Sequence, residues 1–310
     1  MASKGKLKHL LEYAALRTAL GFFGMMGLDR ASDVGGGLAR FVGPKLGITN
    51  RARKNIGLAM PELSAGEVER IITGMWDNLG RTIAEYAHLE RFTRPEERHR
   101  IEVVKAGTLR AIAGSGNGGI FVSGHFANWE LLPLVMSLED IDGGEVYRHA
   151  NNPLVNDWMV GLRARLTKAV QIPKGGPGAR SIVKLLREEK FVAMLVDQKM
   201  NDGVEAKMFG LRSMTTAAPA GLVVRYNVPM VPACIERVKG AHFRVTVYDP
   251  ITTHPGTDPA AEIMRITQEL NDFLEARIRE RPQEWLWLHD RWSPPAWYGK
   301  RMRRAAGDPD

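Results

Sequence analysis

The chain has 310 residues, 44% of them hydrophobic and 25% charged, proportions of an ordinary globular protein able to bury a substantial core in one large domain or two small ones. A single cysteine, Cys234, excludes an internal disulfide framework and a cysteine zinc site, and fits a reducing compartment. The formal charge of +8 leaves nucleic acid, anionic lipid headgroups or an acidic protein as partners; no helix-turn-helix, zinc-finger or RNA-binding signature accompanies it, so nucleic acid is the least supported.

Lys4, Lys6 and Lys8 precede residues 10–28, a stretch rich in Leu, Ala, Phe and Met but broken or bounded by Glu12, Arg17 and Asp29. That is too interrupted for a plain transmembrane span, and no small-residue cleavage site follows it. The reading is a retained helix (residues 1–30) lying in or dipping into a membrane surface, its basic flank against anionic headgroups. The alternative is a hydrophobic helix packed on the protein's own core. Residues 31–100 read as helical: Ser64-Ala-Gly-Glu67 is a capping box, and Val68, Ile71, Ile72, Met75 and Leu79 mark one face of the long helix behind it.

From residue 101 to residue 299, strand and helix patterns alternate. Strands are expected at 101–104, 119–122, 145–147, 191–196, 230–235 and 243–248, and helices at 128–136, 153–166, 179–188, 217–226 and 259–279. The fold class predicted is α/β, a mostly parallel central sheet flanked by helices. Residues 300–310 read as a basic, then polar, tail.

The most informative element is Ile120-Phe-Val-Ser-Gly-His-Phe-Ala-Asn-Trp-Glu130. An apolar run ends at Ser123-Gly124 and places His125 at the C-terminal edge of a strand, where α/β sheets bind substrates. A carboxylate one turn into the following helix, Glu130, is placed to accept the proton on one imidazole nitrogen and leave the other as a base. The pair is a triad without its nucleophile, so the simplest chemistry is activation of a substrate hydroxyl. Taken alone, a lone histidine with an acid five residues on is more often structural, and the spacing does not fit zinc.

Its companions change the reading. Asn55-Ile with Met60-Pro61, His125-Phe-Ala-Asn-Trp-Glu130, Tyr147-Arg148 with Asn151-Asn-Pro153, Asp197-Gln198 with Gly203-Val204, Phe209-Gly210 and Pro282-Gln-Glu-Trp-Leu-Trp287 occur in this order. Together, across residues 52–292, they resemble the late acyltransferases of lipid A biosynthesis, the lauroyl and myristoyl transferase family, within the glycerolipid acyltransferases that carry an H-x-x-x-x-D/E element. Three departures stand out: Ala127 where the family usually has glycine, Met208 before Phe209 where it has a second phenylalanine, and Asp290 before Arg291-Trp292.

The resemblance implies transfer of a fatty acyl group from a thioester to a lipid hydroxyl, with His125 as general base and Glu130 orienting it. Arg148 is the candidate for the developing oxyanion or a substrate phosphate. Asn152, Asp197 and Gln198 are candidates for binding substrate, and Asp197 also for fixing Arg148; the plainer roles are helix capping for Asn152 and, for Asp197, capping a turn or ending the strand. The reaction needs no metal or other cofactor. The implied donor is acyl carrier protein, acidic and suited to a basic face, with acyl-coenzyme A as the other option. The expected location is the cytoplasmic face of a bacterial inner membrane. Competing readings are the same chemistry on another lysolipid or glycolipid, and thioester hydrolysis by the same pair.

Overall fold

The computed structural model describes residues 2–293; the expected tail at 300–310 lies outside them. Four helices come first: α1 (Ala2–Gly24), α2 (Leu28–Val42), α3 (Thr49–Ala59) and α4 (Ala65–Glu85). The capping box forms as expected, Ser64 accepting from the Glu67 amide while Glu67 accepts from the Ser64 amide. α2 and α4 pack backbone against backbone: a Cβ on Gly35 would lie 2.5 Å from the Gly80 carbonyl oxygen. Only glycine at both crossing points permits that approach.

The α/β part follows in the order β1 (Ile101–Val104), α5 (Ala106–Ala113), β2 (Gly119–Ser123), α6 (Leu132–Leu138), β3 (Gly143–Tyr147), α7 (Pro153–Leu166), β4 (Val170–Pro173), α8 (Gly176–Arg187), β5 (Phe191–Leu195), β6 (Val204–Met208), β7 (Leu211–Thr215), α9 (Ala218–Tyr226), β8 (Met230–Lys239), β9 (His242–Val247) and α10 (Pro259–Glu280). Seven strands form one sheet in the order β1-β9-β8-β2-β5-β3-β4, parallel throughout except where β8 meets β9. β6 and β7 pair as a separate antiparallel hairpin. The fold is the mixed α/β class that the alternation of patterns predicts, with a helical N-terminal region.

The central strand β2 is buried at all five positions, as a strand covered on both faces must be. Its register with β5 pairs Ser123 with Leu195. Residues two places beyond those strand ends, 125 and 197, are therefore lateral neighbours at the carboxyl edge of the sheet.

α1 divides its apolar residues. Leu20 and Phe23 are buried, Phe23 against Ala31 and Ala84, while Leu7, Leu10, Leu11 and Phe22 are exposed. Among the described residues no helix is long and apolar enough to cross a membrane.

Candidate active site

His125 sits in the loop after β2, and its partner is the lateral neighbour set by the sheet. Its Nδ1–H donates to Asp197 Oδ1 at 2.8 Å, and its backbone amide donates to Asp197 Oδ2 at 2.9 Å. The Trp285 indole donates to the same Oδ2 at 2.7 Å. Gly124 leaves room here: a Cβ on it would stand 2.7 Å from the Phe126 ring and 3.3 Å from the Asp197 side chain.

Asp197 is fully buried. Burial opposes its charge, but His125 and the three donated hydrogen bonds outweigh that and hold its carboxyl far below the usual carboxylate range. Burial likewise opposes a charged His125, yet Asp197, with a smaller contribution from Glu130, raises its pKa above the ordinary histidine value.

Glu130 occupies a different position from the one its spacing suggests. Ala127 takes a left-handed conformation with φ 42°, and residues 129–131 form a 3-10 turn rather than the start of a helix. These bends carry the Glu130 carboxylate to Arg163 of α7, which grips it with two hydrogen bonds of 2.6 and 2.9 Å. Tyr86 and Trp129 also hydrogen-bond to it. The hydrogen-bond acceptor for the His125 ring is thus Asp197, not Glu130; Glu130 reaches the imidazole only through its charge. Glycine is the cheapest residue at φ 42°, which accounts physically for the family's usual glycine where this chain has Ala127.

The loop is held from both sides. The Ala127 amide donates to the Glu284 carbonyl at 2.9 Å, the Leu286 amide donates to the His125 carbonyl at 3.2 Å, and Phe126 bridges to Trp285. From α4, Asn78 and Thr82 donate to the Ala127 carbonyl at 3.2 and 3.1 Å. Asn55 of α3, also buried, donates to the Trp287 carbonyl at 2.8 Å and to that of His289. Asn55 and the Pro282–Trp287 segment, far apart in the sequence, thus meet at the loop that carries the histidine.

Gln198 lies between two imidazoles, its amide nitrogen 3.4 Å from His125 Nε2 and 2.7 Å from His289 Nε2. The two rings are 5.6 Å apart, centroid to centroid. Burial first, and then the charge of His125, lowers the His289 pKa. His289 closes the Trp-Leu-Trp-x-His block, but nothing local in the sequence places it beside His125.

A cavity of about 540 Å³ opens at His125 and reaches across the sheet. Towards β8 and β9 its lining is apolar, with Leu109, Ala233, Val245 and Val247, and α6 adds Leu132, Val135 and Met136. Towards β3 it meets Tyr86, Glu130, Glu145 and Arg163. Glu145 accepts from Gln171, and burial pushes its pKa up to about 7. Arg148, Lys174 and Gln198 also line the cavity, and the charge of Arg148 bears on both Lys174 and His289.

Of the sequence candidates, the sheet edge brings His125, Asp197, Gln198, Glu130 and Arg148 together. Asn152 stands apart as the N-cap of α7, accepting from the Leu154 amide at 3.0 Å and donating to the His9 carbonyl at 2.8 Å and to Glu12 at 3.0 Å. It ties α1 to α7. Trp285 and Trp287 are core residues, and Trp285 also fixes Asp197.

The family model for bacterial lipid A biosynthesis acyltransferases matches residues 3–293. The chain belongs to this family. It is an acyltransferase. It is 24% identical to the lipid A biosynthesis palmitoleoyltransferase of Escherichia coli (strain K12) over 264 residues, covering 81% of this chain and 83% of that one. It is also 24% identical to the lipid A biosynthesis lauroyltransferase of the same organism over 246 residues, covering 77% and 76%. A lipid A biosynthesis acyltransferase of Shigella flexneri is 24% identical over 264 residues.

Proposed function

We propose that this acyltransferase moves a fatty acyl chain from an acyl-carrier-protein thioester to a hydroxyl of a lipid A precursor. The observation that carries the chemistry is the His125–Asp197 pair at the opening of the apolar cavity, with Nε2 directed to Gln198 and away from the carboxylate.

With Nδ1–H held by Asp197, the Nε2 lone pair is the basic site. An acceptor hydroxyl that displaces the long Gln198 contact gives its proton to Nε2 as its oxygen attacks the thioester carbon. Asp197 stabilises the imidazolium, and the C–S bond then breaks as His125 returns the proton to the leaving thiolate. Glu130 adds negative charge near the ring and holds Arg163. Arg148 at the cavity is the group for the developing oxyanion or a substrate phosphate. No metal or other cofactor enters these steps.

The apolar arm towards β9 suits the acyl chain, and the whole cavity of about 540 Å³ lies in the ordinary range of ligand pockets. Cations beside the site, Arg148 and Lys174, suit an acidic carrier protein. The exposed apolar residues of α1 support attachment to a membrane surface, which in this reading is the cytoplasmic face of the inner membrane.

The test is acyl transfer from carrier-protein thioesters of several chain lengths to a Kdo-bearing lipid A precursor. Wild type should form an acylated product, and His125→Ala should lose about 10²–10⁴ of the rate. Free fatty acid released at a rate no acceptor diminishes would reassign the site to hydrolysis. Product only from total membrane lipids would reassign the acceptor.

A further inference from the structure

Beyond α1, a second apolar surface stands exposed at the corner between α2 and α3. Leu38, Phe41 and Val42 lie at i, i+3 and i+4 on the outer face of α2, and Leu46 and Ile48 follow in the turn. Phe41 is 70% exposed and the other four 43–55%. The corner that presents them is rigid. Thr49 donates to the Gly43 carbonyl at 2.6 Å, the Trp76 indole donates to Thr49 at 3.1 Å, and a Cβ on Gly43 would strike the Trp76 ring at 2.1 Å. The polar groups are satisfied inward and the apolar side chains are held outward.

The charge around this ridge has one sign. Residues 34–61 contain five cations, Arg40, Lys45, Arg51, Arg53 and Lys54, and no acid. Asp77 and Glu69 of α4 neutralise Arg40 and Arg53. Lys45 lies over the Phe41 ring at 3.8 Å, and neither it nor Arg51 nor Lys54 has an acidic partner among the described residues. A cationic rim around protruding apolar side chains fits a bilayer with anionic headgroups. A second copy of the same surface would set cation against cation. These side chains do not line the active-site cavity.

We infer that the α2–α3 corner is a second lipid-contacting surface, which seats the enzyme on an anionic bilayer beside its active site. Arg51 connects the two, donating to the Leu288 carbonyl next to His289 at 3.3 Å. The inference deepens the membrane attachment proposed above and rests on it for its meaning, but vesicle binding is measured without acyl transfer, so either idea can fail alone.

Two measurements on the full chain decide it. First, Ile48→Cys is labelled with an environment-sensitive fluorophore, Cys234 being buried, and mixed with vesicles of phosphatidylcholine with and without phosphatidylglycerol. A blue shift with the anionic vesicles is expected, and no shift overturns the inference. Second, lipid titration gives the partition coefficient of Phe41→Ser/Leu46→Ser/Ile48→Ser and of Lys45→Glu/Lys54→Glu, with thermal melts as the folding control. The serine variant should bind at least ~10-fold more weakly. The charge variant should lose about fivefold per residue of its preference for phosphatidylglycerol. Unchanged partitioning overturns the assignment. Partitioning unchanged with a raised KM for carrier-protein thioester would give the surface to that protein instead, and a dimer broken by the serine changes would give it to a second copy.

Discussion

His125 and Asp197 carry opposite pKa shifts from one contact, and together they set how rate depends on pH. A base works only when neutral, so the acid limb of kcat/KM should lie above the ordinary histidine value of about 6.5. Asp197→Asn removes the larger of the two charges that raise it. That variant should move the limb to lower pH and cost about 10²–10⁴ in rate, because the ring loses its held tautomer. Glu130→Gln should move the limb much less, since Glu130 acts on the ring only at a distance. If Glu130→Gln moved it more than Asp197→Asn, the assignment of partners would be reversed. Ala127 offers a second check at this scale. Glycine there relieves the left-handed backbone but removes a buried methyl, two effects of about 1 kcal/mol that nearly cancel. Ala127→Gly should therefore leave denaturant stability within roughly 0.5 kcal/mol, whereas the β-branched Ala127→Val should cost at least ~2 kcal/mol.

At the level of elements, the cavity gives the sharpest expectation. Ala233 on β8 faces the apolar arm and is nearly buried. Ala233→Leu fills that arm, so it should cut use of the longest thioesters by at least ~10-fold while sparing the shortest. Equal losses across a chain-length series would place the acyl group elsewhere. Much of this framework was legible in the sequence because its signals are local. Six strands show as apolar runs, and α7 spans Pro153–Leu166, the bounds expected of it. β4 escaped because Gln171 and Pro173 interrupt its short apolar pattern and Val170 faces solvent. β6 and β7 escaped because they lie outside the sheet and carry mixed polarity. The site divides the same way. His125 follows from its strand end, but its pairing with Asp197 follows from the parallel register of β2 with β5, which no spacing within one segment encodes. The i+5 reasoning for Glu130 assumed a helix where the chain makes a left-handed turn. The partners of Arg163 and His289, like that of Asp197, follow only from the assembled fold.

Across the whole molecule, the buried ionisable groups make stability depend on pH in two directions. Asp197, with its pKa depressed, contributes stability above the unfolded value of about 3.9 that is lost as pH falls through the folded value. His125, with its pKa raised, contributes stability below about 6.5 that is lost as pH rises through its folded value. Glu145 acts in the second sense. Its folded pKa of about 7 exceeds the ordinary 4.5, so the folded state binds the extra proton between them and loses stability as pH rises across that window. Glu145→Gln removes this loss. Urea unfolding should show the variant gaining on wild type by an amount of order 2 kcal/mol between about pH 5 and about pH 8. A constant difference across that range would mean Glu145 is ionised throughout.

The bridge between Phe126 and Trp285 has a consequence for biosynthesis. The base is encoded near residue 125, its carboxylate near 197, and the segment that pins both near 285–289. A ribosome must therefore make the chain through His289, and release it from the exit tunnel, before the imidazole acquires its orientation. Until then the nascent polypeptide carries its exposed apolar helices but no assembled base. The site is therefore among the last parts of the fold to be completed, because it needs residue 125, residue 197 and the segment at 285–289 together.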